Sequence, residues 1–336
     1  DPWLGTIPAY YQPYKSSANF TLGNLQRIWK SIEEESEQFA LGIKFPFEQW
    51  AGEEGYFQVG LFRDKVEREF DQDTFSNFND NATHNSPWEV TWTKVFPDQD
   101  HPITASENDV DYFGDKEQFA WYGMIDLPLT STLTMVGGVR FEDVETNIVN
   151  DAEANATWFP PGEISQVELK PGDADAASED DHILPSLALI YRPWEALTLR
   201  LSYSETVAHQ TFKELTPILQ QEYLGAPIFI GNPALEMSSL QNYDWRVDYT
   251  PYEGGLFSVS WFKKDIDDPI EYVQRLSTFD FTTPVNYPSG RLRGWELETR
   301  HQLGKLWLGL EGISLGANAT FIDSKVEMTE EEITGF

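Results

Sequence analysis

Two stretches alternate apolar and polar residues with a period of two. In "LTLRLSYS", Leu199, Leu201 and Tyr203 share one side while Thr198, Arg200, Ser202 and Ser204 share the other. In "NYDWRVDYT", Tyr243, Trp245, Val247 and Tyr249 oppose Asp244, Arg246, Asp248 and Thr250. Only an extended strand turns such a sequence into two chemically distinct faces, and each face then needs its own solvent or packing partner. The same pattern sets Leu133, Met135, Val139 and Phe141 against Thr134, Arg140 and Glu142. It sets Phe257, Val259 and Trp261 against Ser258 and Ser260, and Trp295 and Leu297 against Glu296, Glu298 and Arg300; it continues through Leu315, Ala317, Ala319 and Phe321. With weaker candidates in "EQFALGIKFPFE", "GYFQVGLFRDK" and "EQFAWYGMIDLPL", the spacing predicts about a dozen strands of about 8–12 residues, against about 5–6 in ordinary sheets. One stretch departs from this: in "NLQRIWKSIEEESEQF", Leu25, Ile28, Trp29 and Ile32 fit a 3.6-residue period, which predicts a short helix ahead of the first strand.

The connections fall into two classes. "TPYEGG" and "PLTST" are short enough for hairpin turns, whereas 67–115, 143–182, 205–240 and 266–290 are long and rich in Asp, Asn, Pro and Gly. Irregular loops beyond about 15 residues are uncommon in compact domains. Transmembrane β-barrels combine tilted strands of about 10 residues, tight turns on one side, long loops on the other and aromatic girdles around an apolar outer band. A soluble β-sandwich also alternates, since one face packs on the opposing sheet and the other meets water. Strand length, large aromatics near strand ends (Tyr203, Tyr243, Tyr249, Trp261, Trp295) and the two loop classes favour the barrel; a carbohydrate-binding sandwich, with Trp and Tyr stacking on sugar rings, is the alternative.

Composition excludes other classes. With 56 acidic against 23 basic side chains and a formal charge of -33, nucleic acid is a poor partner, since phosphate binding needs clustered Lys and Arg. Cysteine is absent, which removes disulfides and thiolate metal sites. No apolar run reaches the roughly 18 residues of a spanning helix. His84, His101, His182, His209 and His301 have no short ligand spacing, so no zinc site is expected. The clusters "FDQDTFSNFNDN", "NDVDYFGDKE" and "SEDDH" offer oxygen ligands for calcium, but none matches a complete loop pattern, and solvated acidic loops account for them. No Ser-His-Asp arrangement, phosphate-binding Gly loop or nucleotide signature is present, so neither enzyme nor cofactor is expected.

Several segments occur together in a telling order. "LTLRLSYSETVAHQTFKELTP" leads through an irregular stretch to "GNPALEMSSLQNYDWRVDYTP" and then "GGLFSVSWFKKDIDDPIEYVQ"; "HILPSLALIYRP", "TLTMVGGVRFEDVET", "NYPSGRLRGWELE" and "LGANATFIDSKV" accompany them. This order resembles the barrel of TonB-dependent outer-membrane receptors over residues 117–326. The resemblance implies an all-β, antiparallel transmembrane barrel segment in the bacterial outer membrane, with long extracellular loops. It implies energy-coupled uptake of a large, scarce solute (an iron chelate, cobalamin or an oligosaccharide), with a plug domain, a TonB-type energy-coupling protein and outer-membrane lipid as partners. Two positions depart from the family pattern: "TVAHQTF" brings His209 near a usual Arg, and Met237 stands where a Pro is expected. Nothing in 1–116 resembles the plug, and "TEEEITG" before Phe336 reads as a loop rather than a last strand. The whole of 1–336 is therefore expected to be an incomplete barrel lacking the plug and its final strands.

On this reading Leu199, Leu201, Val247, Val259 and Leu297 face lipid. The lumen receives Arg140, Glu142, Arg200, Asp244, Arg246, Asp248, Glu296, Glu298 and Arg300. These either hold a plug by ion pairs or form a hydrated wall with cross-strand pairs worth a few tenths of a kcal/mol each. The loop at 205–240 is expected either to capture the solute through Phe212, Tyr223, Phe229 and Asn232 or to serve as structural packing.

Overall fold

Alternation of this kind needs a ladder in which every strand finds two neighbours, and the chain provides it by folding hairpin upon hairpin. The structure is a computed structural model describing residues 26–50, 52–76, 104–105, 110–152, 156–158, 160, 165–220, 227–276 and 280–329. The strands are β1 (Gln26–Glu48), β2 (Glu54–Ser76), β3 (Thr104–Ala105), β4 (Val110–Thr130), β5 (Leu133–Ala152), β6 (Thr157–Trp158), β7 (Val167–Glu168), β8 (Ala176–Trp194) and β9 (Leu197–Ala208). There follow β10 (Leu219–Gln220), β11 (Ile228–Ile230), β12 (Ser238–Tyr249), β13 (Gly255–Asp267), β14 (Ile270–Leu276), β15 (Asp280–Asn286), β16 (Ser289–Gln302) and β17 (Ser314–Glu327). Two single-turn helices, α1 (Phe212–Leu215) and α2 (Leu303–Leu306), lie in connections. The long strands make one antiparallel sheet in the order β1-β2-β4-β5-β8-β9-β12-β13-β16-β17, each beside its neighbour in the chain. The sheet is not closed, since no pairing joins β1 to β17.

The all-β expectation holds, and the turns at 131–132 and 250–254 fall where the short connections predicted them. The soluble sandwich does not: the outward apolar residues belong to one continuous sheet, and Phe39, Trp121, Leu201, Trp295 and Phe321 remain exposed, with no opposing sheet over them among the described residues. No helix among these residues is long and apolar enough to cross a membrane.

Two local expectations are corrected. The segment read as a helix is the first half of β1, paired residue for residue with β2 from Gln26↔Ser76 to Glu48↔Glu54. A 23-residue ladder outweighs the chance helical spacing of Ile28, Trp29 and Ile32, because a helix there would leave the backbone of β2 unpaired along that edge. The strands are also longer than predicted, reaching 23 residues in β1 and β2 and 21 in β4. At about 3.3 Å per residue and a tilt near 45°, a strand of that length rises roughly 50 Å, about twice the ~25 Å apolar band of such barrels. The strands therefore project beyond the membrane and take up much of the sequence read as loop. The remaining long connections are 77–109, 153–175, 209–237 and 268–288.

The outward face shows where the membrane lies. Register places Leu199, Val247, Val259 and Leu297 in one row, with Leu201, Trp245, Trp261 and Trp295 in the next. Toward the long connections the outward residues then change character together: Phe39 gives way to Glu37, Leu61 to Arg63, Phe119 to Glu117, Phe141 to Asp143, Tyr203 to Glu205, Trp261 to Lys263 and Trp295 to Arg293. An aromatic girdle topped by a charged collar marks the outer interface, and the tight turns lie at the opposite end.

Candidate functional site

The face opposite the apolar band carries the candidate lumen residues. Period two on β9, β12, β13 and β16 sends Arg200, Asp244, Arg246, Asp248, Ser258, Ser260, Glu296, Glu298 and Arg300 to the same side, and register sets Arg246 between Arg200 and Ser260, and Ser258 between Asp248 and Glu298. The charges join into one chain. Arg200 pairs with Asp248, Arg246 Nε donates to Asp248 at 2.8 Å, Arg246 Nη2 reaches Glu298 at 3.2 Å, and Glu298 pairs with Arg300. Ser258, 4% exposed, sits beneath. Glu296 accepts from Ser260 Oγ at 3.3 Å. Asp244 shares the face but forms none of these ion pairs. The chain holds three guanidinium groups (Arg200, Arg246, Arg300) and two carboxylates (Asp248, Glu298), and with Asp244 and Glu296 on the same face the charges stand at three positive against four negative.

A second group lies on β5. Arg140 Nε donates to Glu142 at 2.6 Å and its guanidinium stands 5.1 Å from the Phe62 ring centre. Glu142, only 6% exposed, also meets His209 Nε2 at 3.1 Å. His209 lies just past the end of β9, so this contact ties the first residues of the 209–237 connection to the wall. His182 stands opposite Glu142 in the register, and its Nε2 is 3.4 Å from Met237 Sδ. The two residues that depart from the family pattern thus meet neighbouring positions on one patch, a convergence that register alone creates. Among the described residues no three His, Cys, Asp or Glu side chains are placed to hold a metal ion; His84 and His101 lie outside them.

Above the wall, the long connections have a structure of their own. β10, β11, β15 and β14 form a small sheet, with β11 and β15 parallel, that joins the 209–237 and 268–288 connections. Helix α1 starts from a capping box in which Thr211 Oγ1 accepts from Glu214 N and the Glu214 carboxylate accepts from Thr211 N. It turns Phe212 and Leu215 inward, where they join Ile218 and Leu235 in a core with Phe70, Tyr112 and Ile148 of the wall and Ala156, Trp158 and Leu169 around β6 and β7. Phe229 packs edge-on against Tyr272 at 5.4 Å, with Lys213 Nζ 4.7 Å over its ring. Tyr272 donates to Glu214 Oε1 at 2.8 Å; burial and that carboxylate push the phenol up to about 12.

Of the four residues expected to meet a solute, Phe212 and Phe229 are 6% and 8% exposed, so packing uses most of their surface. Asn232 donates through Nδ2 to Pro284 O at 3.2 Å and accepts from Ala234 N at 3.0 Å, which fixes the turn between β11 and β12. Tyr223 lies outside the described residues. Tyr272, 58% exposed at the rim of the small sheet, escaped notice in the sequence because its strand is short and carries no sustained alternation.

These features agree with the comparisons. The family model described as "TonB dependent receptor-like, beta-barrel" matches residues 68–335. The chain belongs to the TonB-dependent receptor family. No curated protein matches it in sequence. Among solved structures it is similar to the ferric yersiniabactin uptake receptor FyuA from Yersinia pestis (14% identity, TM-score 0.52), covering 89% of this chain and 37% of that one. It is similar also to the ferric citrate transporter FecA (14%, TM-score 0.55, 90% and 37%) and to the copper transporter OprC (12%, TM-score 0.53, 88% and 39%). At such identities the likeness establishes the fold, and the chain spans less than two fifths of these structures. As a TonB-dependent receptor barrel its place is the bacterial outer membrane, which fits the apolar band, girdle and collar.

Proposed function

We propose that this barrel wall is part of an outer-membrane receptor that imports a large, scarce solute, driven through a TonB-type energy-coupling protein. The observation that carries the reading is the chain Arg200–Asp248–Arg246–Glu298–Arg300 on the inward face. Its pairs are individually weak because they are partly hydrated, and a wall of alternating guanidinium and carboxylate groups suits the opposite charges of a plug domain that must be held and then released. Glu142, Glu296 and Asp244 extend the same surface. The small sheet over the wall, with Tyr272 and Lys213 at its rim, offers a solute an aromatic and cationic surface on the side of the long connections. The similar structures are an uptake receptor for ferric yersiniabactin and transporters of ferric citrate and copper, and an iron chelate, cobalamin or an oligosaccharide is the class of solute proposed here.

The test is uptake by cells in which the receptor containing this wall is the sole route, using labelled ferric chelates, cobalamin and oligosaccharides with and without an energised inner membrane. Uptake of one class that stops on de-energisation is expected. Uptake or ion conductance that persists without energy would identify a passive pore and reject the proposal.

A further inference from the structure

The inward face of β5 is covered over the half that points toward the long connections. Glu142, Val144, Thr146, Ile148 and Asn150 follow one another at a period of two on the lumen side, and all five are 6% exposed or less, while outward Val149 is 55% exposed. A wall open to a water-filled lumen leaves its inward side wet. Here the cover comes from two connections: 153–175 supplies Trp158 and Leu169, and 209–237 supplies Phe212, Leu215, Ile218 and Leu235.

The 209–237 connection crosses the sheet to do this. It leaves β9 after Ala208, and four residues later Phe212 lies on Gly114 of β4, three places away in the sheet order. Gly114 stands between Arg68 and Ile148 in the register. At about 4.8 Å between strands the crossing covers roughly 14 Å of the inward face, and the chain then returns to β12 at Ser238.

Both ends of this arch are tied to one patch of wall. His209 Nε2 meets Glu142 at 3.1 Å and Met237 Sδ meets His182 at 3.4 Å, with Glu142 and His182 opposite each other in the register. Its two arms are fastened to each other as well. Gln210 Nε2 donates to Leu235 O at 2.9 Å, Gly231 N to Thr216 O at 3.1 Å and Asn232 N to Glu214 O at 2.6 Å. Gly231 passes the end of α1 so closely that a Cβ there would collide with Thr216 O. Lifting the arch therefore exposes Phe212, Leu215, Ile218 and Leu235 together. Burial of one such side chain shifts an equilibrium by roughly 10- to 100-fold, so four leave the lifted form rarer than about one in 10⁴.

We infer that the 209–237 connection is a fixed strut rather than a gate. It stays seated on β2, β4 and β5 throughout transport, and the solute's route past the mouth avoids the inward face of β4 and β5 above Glu142. The inference rests on the receptor reading above and adds which part of the mouth does not move.

Cysteine is absent from the chain, so one engineered disulfide tests the strut. A Cβ at Gly114 would lie 3.1 Å from Phe212 Cγ, which puts the two Cβ atoms within about 4.6 Å, near the roughly 3.5–4.5 Å that a disulfide spans. G114C/F212C is oxidised on cells that have this receptor as their sole route, and loss of thiol labelling reports the bond. Import of labelled ferric citrate, cobalamin and maltohexaose is then measured before and after reduction. The oxidised variant is expected to import the solute that the wild type imports, at the rate of its reduced form. Import that oxidation abolishes and reductant restores overturns the strut. No import by the wild type rejects the receptor reading, and the strut's role with it. If the pair does not assemble or does not close, nitroxide labels at Ala234→Cys and Thr250→Cys, both exposed positions, replace it. A single interlabel distance, unchanged when the three solutes are added to energised cells, is expected; a second distance that appears with solute overturns the strut.

Discussion

Replacing Phe212 with alanine tests whether the long connections form an ordered structure seated on the wall. The ring is 6% exposed and lies on the backbone of Gly114, where a Cβ would come within 2.6 Å of its Cδ1. It also stands 5.2 Å from the Arg68 guanidinium and packs among Leu215, Ile218, Phe70 and Tyr112. Removing a buried phenyl group costs about 3–5 kcal/mol. Because the long ladder needs no contact from α1, the cost falls on the seating of the described residues of 209–237, raising their opening equilibrium by roughly two to three and a half powers of ten. Amide exchange in detergent micelles reads this directly: protection is lost in 209–220, 227–237, 270–276 and 280–286 and kept in β4, β5, β12 and β13. Gly114→Ala should reproduce the loss by pushing the ring out, and Phe212→Leu should partly relieve Gly114→Ala, so the two changes combine non-additively. Unchanged protection of 209–237 in Phe212→Ala, or loss that spreads equally to β12 and β13, would refute the argument.

Val259→Arg, in the middle of the outward apolar rows, should destabilise the barrel in vesicles by about 2–4 kcal/mol, whereas Glu145→Arg, in the collar opposite Glu117 and Glu179, should cost no more than about 1 kcal/mol; urea unfolding in lipid vesicles compares them. Asp248→Ala removes the shared acceptor of Arg200 and Arg246, and the two cations left facing each other should cost about 1–3 kcal/mol in the same assay. The Tyr272 phenol is raised from 10.0 to about 12, so the folded state holds its proton more tightly than the unfolded chain does. That contribution is complete below pH 10 and is lost as pH rises through about 12. Exchange protection of β14 should fall across that interval, and Tyr272→Phe should flatten the profile.

The sequence was legible wherever the two solvents differ sharply. From Leu199 to Tyr203 and from Tyr243 to Tyr249, one side meets hydrocarbon and the other does not, so period two stands out. Past the girdle the outward side meets water, and the inward side mixes apolar with polar groups buried under the long connections (Phe70 with Gln72, Ile148 with Thr146 and Asn150), so the contrast weakens. Glu33, Glu35 and Glu37 alternate with Glu34 and Ser36, which left Ile28, Trp29 and Ile32 free to imitate a helix. For the same reason the stretches at 67–76, 110–115 and 143–152 read as loop although they continue strands. The loop aromatics were legible as important but not in their role: Phe212 and Phe229 are marked by composition, while their burial depends on Gly114, Phe70 and Tyr272 arriving from distant positions. The Arg246–Glu298 contact spans 52 residues, and only the register of β12, β13 and β16 brings its partners together.

That register also explains how one repeating pattern serves two surfaces. A slip of a single residue between neighbouring strands would send Val247 or Val259 to the inward face and Arg246 or Ser258 to lipid, so the membrane and the inward ion-pair chain enforce the same alignment from opposite sides. Because the alignment is shared, the height at which apolar residues give way to charge is shared too. Trp261, Trp295 and Phe321 stand level only because Lys263, Arg293 and Asp323 do. A collar built this way cannot place its charges independently strand by strand: whatever β13 puts two residues above its girdle tryptophan faces what β16 puts above its own. The pairing of Lys263 with Arg293 and of Arg291 with Lys325 is therefore a cost imposed on the ladder at a fixed level, and Asp265, Asp323 and Glu327, brought beside them by the same register, offset it.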